Sequence, residues 1–162
     1  MIRPARPDDV ESILGLIREL AVYEELEHHM DVTADALRED LFGGSPRCEA
    51  LIAEADDGTT AGYALFFPTY SSFKTRRCLH LEDVYVTPDA RGRGHGKALL
   101  ATVATIARNR GCPRLDWNVL SWNQPAIDFY GELGAEVLSD WWLCRLEGDS
   151  LVRVASLADK IE

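Results

Sequence analysis

The chain has 162 residues, 46% of them hydrophobic and 27% charged, proportions that suit one soluble domain spanning residues 1–162 with a core of its own. A net charge of −10 argues against non-specific nucleic-acid binding, which needs a basic surface, and no apolar run is long enough to span a bilayer. The opening residues lack the apolar stretch of a secretory signal, so a cytoplasmic protein is expected.

The first elements follow in chain order. Residues 1–5 suit a short strand. From Pro7 the pattern turns helical, with Val10, Ile13, Leu14, Ile17, Leu20 and Ala21 at helical spacing and Asp8, Asp9 and Glu11 at the positive helix end. That helix is expected to stop near residues 23–26. A second, short helix should start from a Thr33 cap, carry Ala36, Leu37 and Leu41, and end at Gly43-Gly44. Residues 48–55, 61–69 and 78–86 read as three strands of an antiparallel meander, the first bounded by the turn Asp56-Asp57-Gly58.

The second half alternates. A helix is expected over 94–110, with Leu99, Leu100, Val103, Ala104 and Ala107 on its apolar face and Gly111 as its stop. A strand over 115–120, a helix over 124–133 stopped by Gly134, and strands over 135–138 and 141–147 complete the order. A meander followed by β-α-β-α-β predicts an α/β fold with a mixed central sheet. The cysteines Cys48, Cys78, Cys112 and Cys144 stand about thirty residues apart without a CxxC pair, and no histidine has metal-site spacing, so no metal is expected.

The most informative stretch joins the third strand of the meander to the long helix: Arg91-Gly92-Arg93-Gly94-His95-Gly96-Lys97. A glycine-rich turn that opens a helix leaves backbone N–H groups unpaired beside the positive end of the helix dipole, a ready seat for phosphate. It is neither of the two familiar phosphate loops. Position 91 is Arg and position 98 is Ala, against a Walker A loop; Lys97 and Leu99 stand where a dinucleotide fingerprint needs its last glycine.

Residues 91–96 resemble the Arg/Gln-x-x-Gly-x-Gly/Ala signature of the GNAT acetyltransferases. The segments IRPA…IRELAVYEELE, LHLEDVYVTPDARGRGHG and WNQPAIDFYGELGA resemble, in the same order, parts of the spermidine/spermine and thialysine N-acetyltransferase group within that family. The resemblance implies a single-domain GNAT fold, acetyl-CoA as co-substrate and a small cationic amine as acceptor. Residues Arg91, Gly92, Arg93, Gly94, His95, Gly96 and Lys97 would then wrap the pyrophosphate, the backbone of Val84, Tyr85 and Val86 would hold the pantetheine, and Asn123 and Ala126 would meet the CoA arm.

An alkyl ammonium with a pKa near 10.4 is neutral in at most about one molecule in a thousand at pH 7, so a group that takes the proton is useful. The resemblance makes Glu82 that base, or an anchor for the amine, and makes Tyr130 the proton donor to the departing sulfur. Read without it, Glu82 is a surface carboxylate on an edge strand and Tyr130 a core tyrosine. The resemblance aligns Tyr23 and Glu24 with a Tyr-Glu pair that meets the amine, with Asp83 adding charge, and sets the strand residues Asp116, Trp117 and Asn118 where the family contacts substrate. Lys74, Arg76 and Arg77 stand where the acceptor mouth is expected, which leans toward a lysine-like acceptor over a long polycation. A homodimer is implied, with residues 141–147 near its interface; Trp141 and Trp142, adjacent on a strand, would face opposite sides. Two other readings stay open: a protein or peptide N-acetyltransferase, and a non-catalytic acyl-CoA sensor, which would need neither Glu82 nor Tyr130.

Overall fold

The computed structural model describes residues 1–158. The chain separates into two compact units, Met1–Asn118 and the residues from Val119 onward.

The first unit is an α/β layer structure. Five strands, β1 (Ile2–Pro4), β2 (Glu49–Glu54), β3 (Thr60–Ser71), β4 (Arg76–Val86) and β5 (Leu115–Trp117), lie side by side in chain order. The first three pairings are antiparallel, and β4 pairs with β5 in parallel. A parallel pair needs a crossover, and α3 (His95–Asn109) supplies it. Helices α1 (Val10–Tyr23) and α2 (Ala34–Phe42) complete the unit. A 3₁₀ turn over Pro7–Asp9 leads into α1, and the Thr33 hydroxyl accepts the Ala36 N–H at 3.2 Å as the cap of α2. Arg3 donates to Asp9 and Glu54, tying β1 to the turn before α1 and to the end of β2.

The apolar stripes of α1 and α2 (Val10, Ile13, Leu14, Leu37, Leu41) close on Ile52, Tyr63, Leu65 and Tyr85 of the sheet. On α3, Leu99, Leu100, Val103 and Ala107 are buried as the helical spacing predicts, whereas Ala104, expected on the same face, is exposed. Gly62 lets β3 and β4 approach, since a Cβ there would run into the carbonyl oxygen of Tyr85. The pairing of β3 with β4 slips once. Leu65 faces Asp83 and Phe66 faces Leu81, so Glu82 is the extra residue of a β-bulge.

The second unit holds α4 (Gln124–Glu132) and α5 (Gly148–Ala155). Here the expected order is corrected. Neither 135–138 nor 141–147 forms a strand among the described residues, so β-α-β-α-β ends at α4. Apolar residues raise strand propensity, but a strand exists only where a neighbour takes its N–H and C=O groups, and among the described residues this segment has no ladder partner. Its side chains stand open instead: Trp141 is 76% and Trp142 87% exposed, so neither tryptophan is a core residue of this chain. The helix α5 is absent from the sequence reading. Its first turn is fastened by Ser150, whose hydroxyl donates to the Glu147 carbonyl at 2.7 Å and accepts the Glu147 N–H at 3.2 Å.

Candidate functional site

The glycine loop has the geometry that its composition suggests. Gly92 (φ +74) and Gly94 (φ +83) both lie in the left-handed region, which side chains disfavour, and Gly94 is the N-cap of α3. No side chain caps that end. The first intrahelical bond runs from the Ala98 N–H to the Gly94 carbonyl at 2.9 Å, so the N–H groups of His95, Gly96 and Lys97 precede it and point out of the helix end. A Cβ on Gly96 would enter the space beside Val86, 3.8 Å from a methyl group, and would narrow the gap between helix start and strand end. These features fit a diphosphate: paired left-handed glycines, unpaired amides, the positive end of a fifteen-residue helix and an open approach. Arg93 and Lys97 add positive charge to the loop.

Arg91 is the first residue of the loop. Its Nε donates to the carbonyl of Val86 at 3.1 Å, and its guanidinium lies 5.2 Å from the ring centroid of Tyr23 and 5.6 Å from that of Tyr85. The Tyr85 hydroxyl in turn donates to Glu19 at 3.2 Å. The Arg91 side chain is therefore engaged with the end of α1 and the end of β4.

A second constellation lies further back on β4. The wholly buried Tyr63 donates its hydroxyl to Asp83 at 2.8 Å. Burial pushes the Asp83 carboxyl up to about 6; the Tyr63 hydrogen bond opposes this, and the charges of Glu82 and Glu24 add to it. The Tyr63 phenol is raised by the same burial and by Asp83. Glu24, at the C-cap of α1, is also pushed up by burial. Glu82 is more open, and its Oε2 lies 3.7 Å from Nε2 of His80. Simple strand alternation puts consecutive residues on opposite faces. The bulge relaxes that rule, so Glu82 reaches His80 while its neighbour Asp83 reaches Tyr63, and both carboxylates share a field with Glu24.

Two sequence-predicted acceptor residues, Glu82 and Asp83, stand side by side at the bulge, the charge of Glu24 acts on Asp83, and Tyr23 adjoins Glu24 in the chain. Asp116 is not part of the group in the same way: its carboxylate pairs with Arg114 at 2.7 Å, although β5 sets it opposite His80. Trp117 follows in register opposite Leu81, and Asn118 ends the first unit. Lys74, Arg76 and Arg77 lie at the tip of the β3–β4 hairpin, where Tyr70 and Phe73 are exposed. Arg77 and Arg76 precede Glu82 by five and six positions, about 17–20 Å of strand. The sequence reading misses Tyr63 and His80. Nothing in their local sequence marks them, because only the strand register brings them beside the carboxylates.

In the second unit, Asn123 is buried and its side-chain oxygen accepts the Ala126 N–H at 3.3 Å, capping α4. Tyr130 lies in the last turn of α4, half-buried, with its ring 5.3 Å from that of Phe129.

A sequence profile described as the Acetyltransferase (GNAT) family matches residues 11–135, and the chain belongs to that family of acetyltransferases. Among particular relatives, it is 39% identical over 165 aligned residues to a thialysine N-epsilon-acetyltransferase of Bos taurus, with 96% of each chain covered. It is 32% identical to an L-ornithine N5-acetyltransferase of Arabidopsis thaliana, covering 96% of this chain and 88% of the relative. Its fold is shared with an integron cassette protein from the mobile metagenome of V. cholerae, at a TM-score of 0.78, 26% identity and 96% coverage of both chains.

Proposed function

We propose that this acetyltransferase moves the acetyl group of acetyl-CoA to the primary amine of a small cationic acceptor, lysine-like (thialysine), diamine or polyamine, by direct attack of the amine. The observation that carries the reading is the β4 bulge, which sets Glu82 beside Asp83, within the field of Glu24 from the end of α1, on the strand that leads into the glycine loop. The bound co-substrate would supply the activated thioester. The chain's own part is to seat it, through the amides of residues 95–97 and the cations Arg93 and Lys97, with backbone groups of Val84, Tyr85 and Val86 along the pantetheine and Asn123 and Ala126 on the CoA arm.

The carboxylates attract the ammonium form of the acceptor. Glu82, the most open of them, takes its proton directly or through water, and Asp83 and Glu24 hold the cation as it arrives. Tyr130 is proposed as the donor to the leaving sulfur: a phenol of pKa about 10 can give a hydrogen bond to a thiolate of pKa about 8.5 without ionising itself at neutral pH. Relatives that act on thialysine and L-ornithine support an acceptor of this kind.

We further propose that the chain acts as one domain from end to end and works as a homodimer in the cytoplasm. The exposed Trp141, Trp142 and Leu143 form the kind of large apolar run that a partner chain covers. A monomer mass by light scattering at micromolar concentration would rule the dimer out. For the reaction, purified protein is incubated with acetyl-CoA and a panel of thialysine, lysine, ornithine, putrescine and spermidine, with free thiol followed against time. Amine-dependent thiol release supports the reading; no amine-dependent release with any member of the panel overturns it.

A further inference from the structure

Arg91 sits between the two constellations, and its contacts run in both directions. On one side it is bonded in sequence to Gly92, the first left-handed glycine of the loop. On the other its guanidinium packs against Tyr23, and the residue after Tyr23 is Glu24. Tyr85 completes the clamp, with its ring against Arg91 and its hydroxyl on Glu19. Glu19 and Tyr23 are four residues apart, so they stand on one face of α1, one turn from each other. The Nε bond to Val86 fixes the guanidinium relative to the strand end. One cation therefore joins the end of β4, the start of the loop and the last turn of α1.

We infer that Arg91 is a positioning residue that holds the acceptor end of α1 in register with the diphosphate-binding loop, so that loop occupancy and acceptor affinity are coupled through the Tyr23–Arg91–Tyr85 stack. The inference rests on the acetyltransferase reading above. The residue type suits the task. A guanidinium is planar, always charged and weakly hydrated, so it stacks on aromatic faces while its edge still donates hydrogen bonds. A lysine can sit on one ring but cannot also keep the Nε bond to Val86. Two further cations, Arg93 and Lys97, stand in the loop on either side of Gly94-His95-Gly96.

The test is a double-mutant cycle with two readouts. Wild type, Arg91→Met, Tyr23→Leu and the double variant are compared for acetyl-CoA affinity by calorimetry, and for thialysine KM and kcat at saturating acetyl-CoA. Each single variant is expected to raise acceptor KM about tenfold, with kcat and acetyl-CoA affinity changed less than about threefold. The double variant should be no worse than about twentyfold, because both singles break the same stack. Tyr23→Phe keeps the ring, so the Arg91→Met effect should persist in that background and vanish in Tyr23→Leu; this pair decides the matter if one of the other variants melts early. Multiplying effects, near a hundredfold in the double variant, overturn the inference and leave the enzyme reading intact. A tenfold loss of acetyl-CoA affinity in Arg91→Met with acceptor KM unmoved does the same, making Arg91 a phosphate ligand. Wild type that acetylates no amine overturns the reading and the inference together.

Discussion

The glycine loop and the carboxylate group are built by opposite means. The loop is made of backbone: its amides, the left-handed glycines and the helix end form a donor surface that needs almost no side chains. The carboxylate group is made of side chains from separate elements, Glu24 from the end of α1 and Glu82 and Asp83 from a bulge in β4, over Tyr63 from β3. A backbone site tolerates changes beside it and fails when its dihedrals are blocked. A side-chain site loses function one charge at a time, and its pH response follows its most buried member.

The harshest way to break the first region is Gly94→Asp. It forces a side chain onto a φ of +83 and sets a negative charge at the positive helix end, so acetyl-CoA affinity should fall beyond measurement by calorimetry while the protein still folds. Unchanged affinity in a folded variant would remove the loop from the site. Tyr130→Phe asks whether chemistry needs a side chain outside both regions. Turnover should drop by roughly 10²–10⁴ with acetyl-CoA affinity nearly unchanged, the range for a lost proton donor. Turnover at the wild-type level, with chemistry rate-limiting, would leave Tyr130 a packing residue.

Glu82→Gln keeps the shape of the bulge and removes one charge. It should lower kcat/KM for the amine by about 10–100-fold and leave acetyl-CoA affinity alone, which sharpens the division between the regions. Loss of both together would show them to be one unit.

Asp83 sets the pH behaviour. Its folded pKa of about 6 lies above its ordinary value of 3.8, so its contribution to stability is full below about pH 4 and is lost as the pH rises through 6. That loss is on the order of 3 kcal/mol. Asp83→Asn should flatten the fall in melting temperature over that window, and an unchanged slope would show that Asp83 titrates normally. The acceptor side should respond in the opposite sense, with KM for a cationic amine falling as the carboxylate ionises. The smallest effect is expected at the hairpin tip: Lys74→Ala, Arg76→Ala, Arg77→Ala together should change the thialysine-to-spermidine ratio of kcat/KM by less than about threefold, because charges that far from the carboxylates are screened. A larger change would place the basic segment at the acceptor site.

Much of the molecule is readable from the chain alone. The stripes of α1 and α3, the Thr33 cap, the meander and the crossover helix all follow from local periodicity and turn residues, whose physics acts over a few positions. The loop at 91–97 is equally plain, because glycines at a strand-to-helix junction constrain the backbone where they stand. Residues 135–147 mislead, since apolar side chains show that a segment can pair but not that a partner edge is there. The β4 bulge, the Tyr63–Asp83 bond, the His80–Glu82 approach and the Arg91 clamp lie beyond the sequence for a common reason. Each depends on the register between strands or on the angle at which α1 crosses the sheet, and those are decided by packing between residues far apart in the chain, where no local pattern records the outcome.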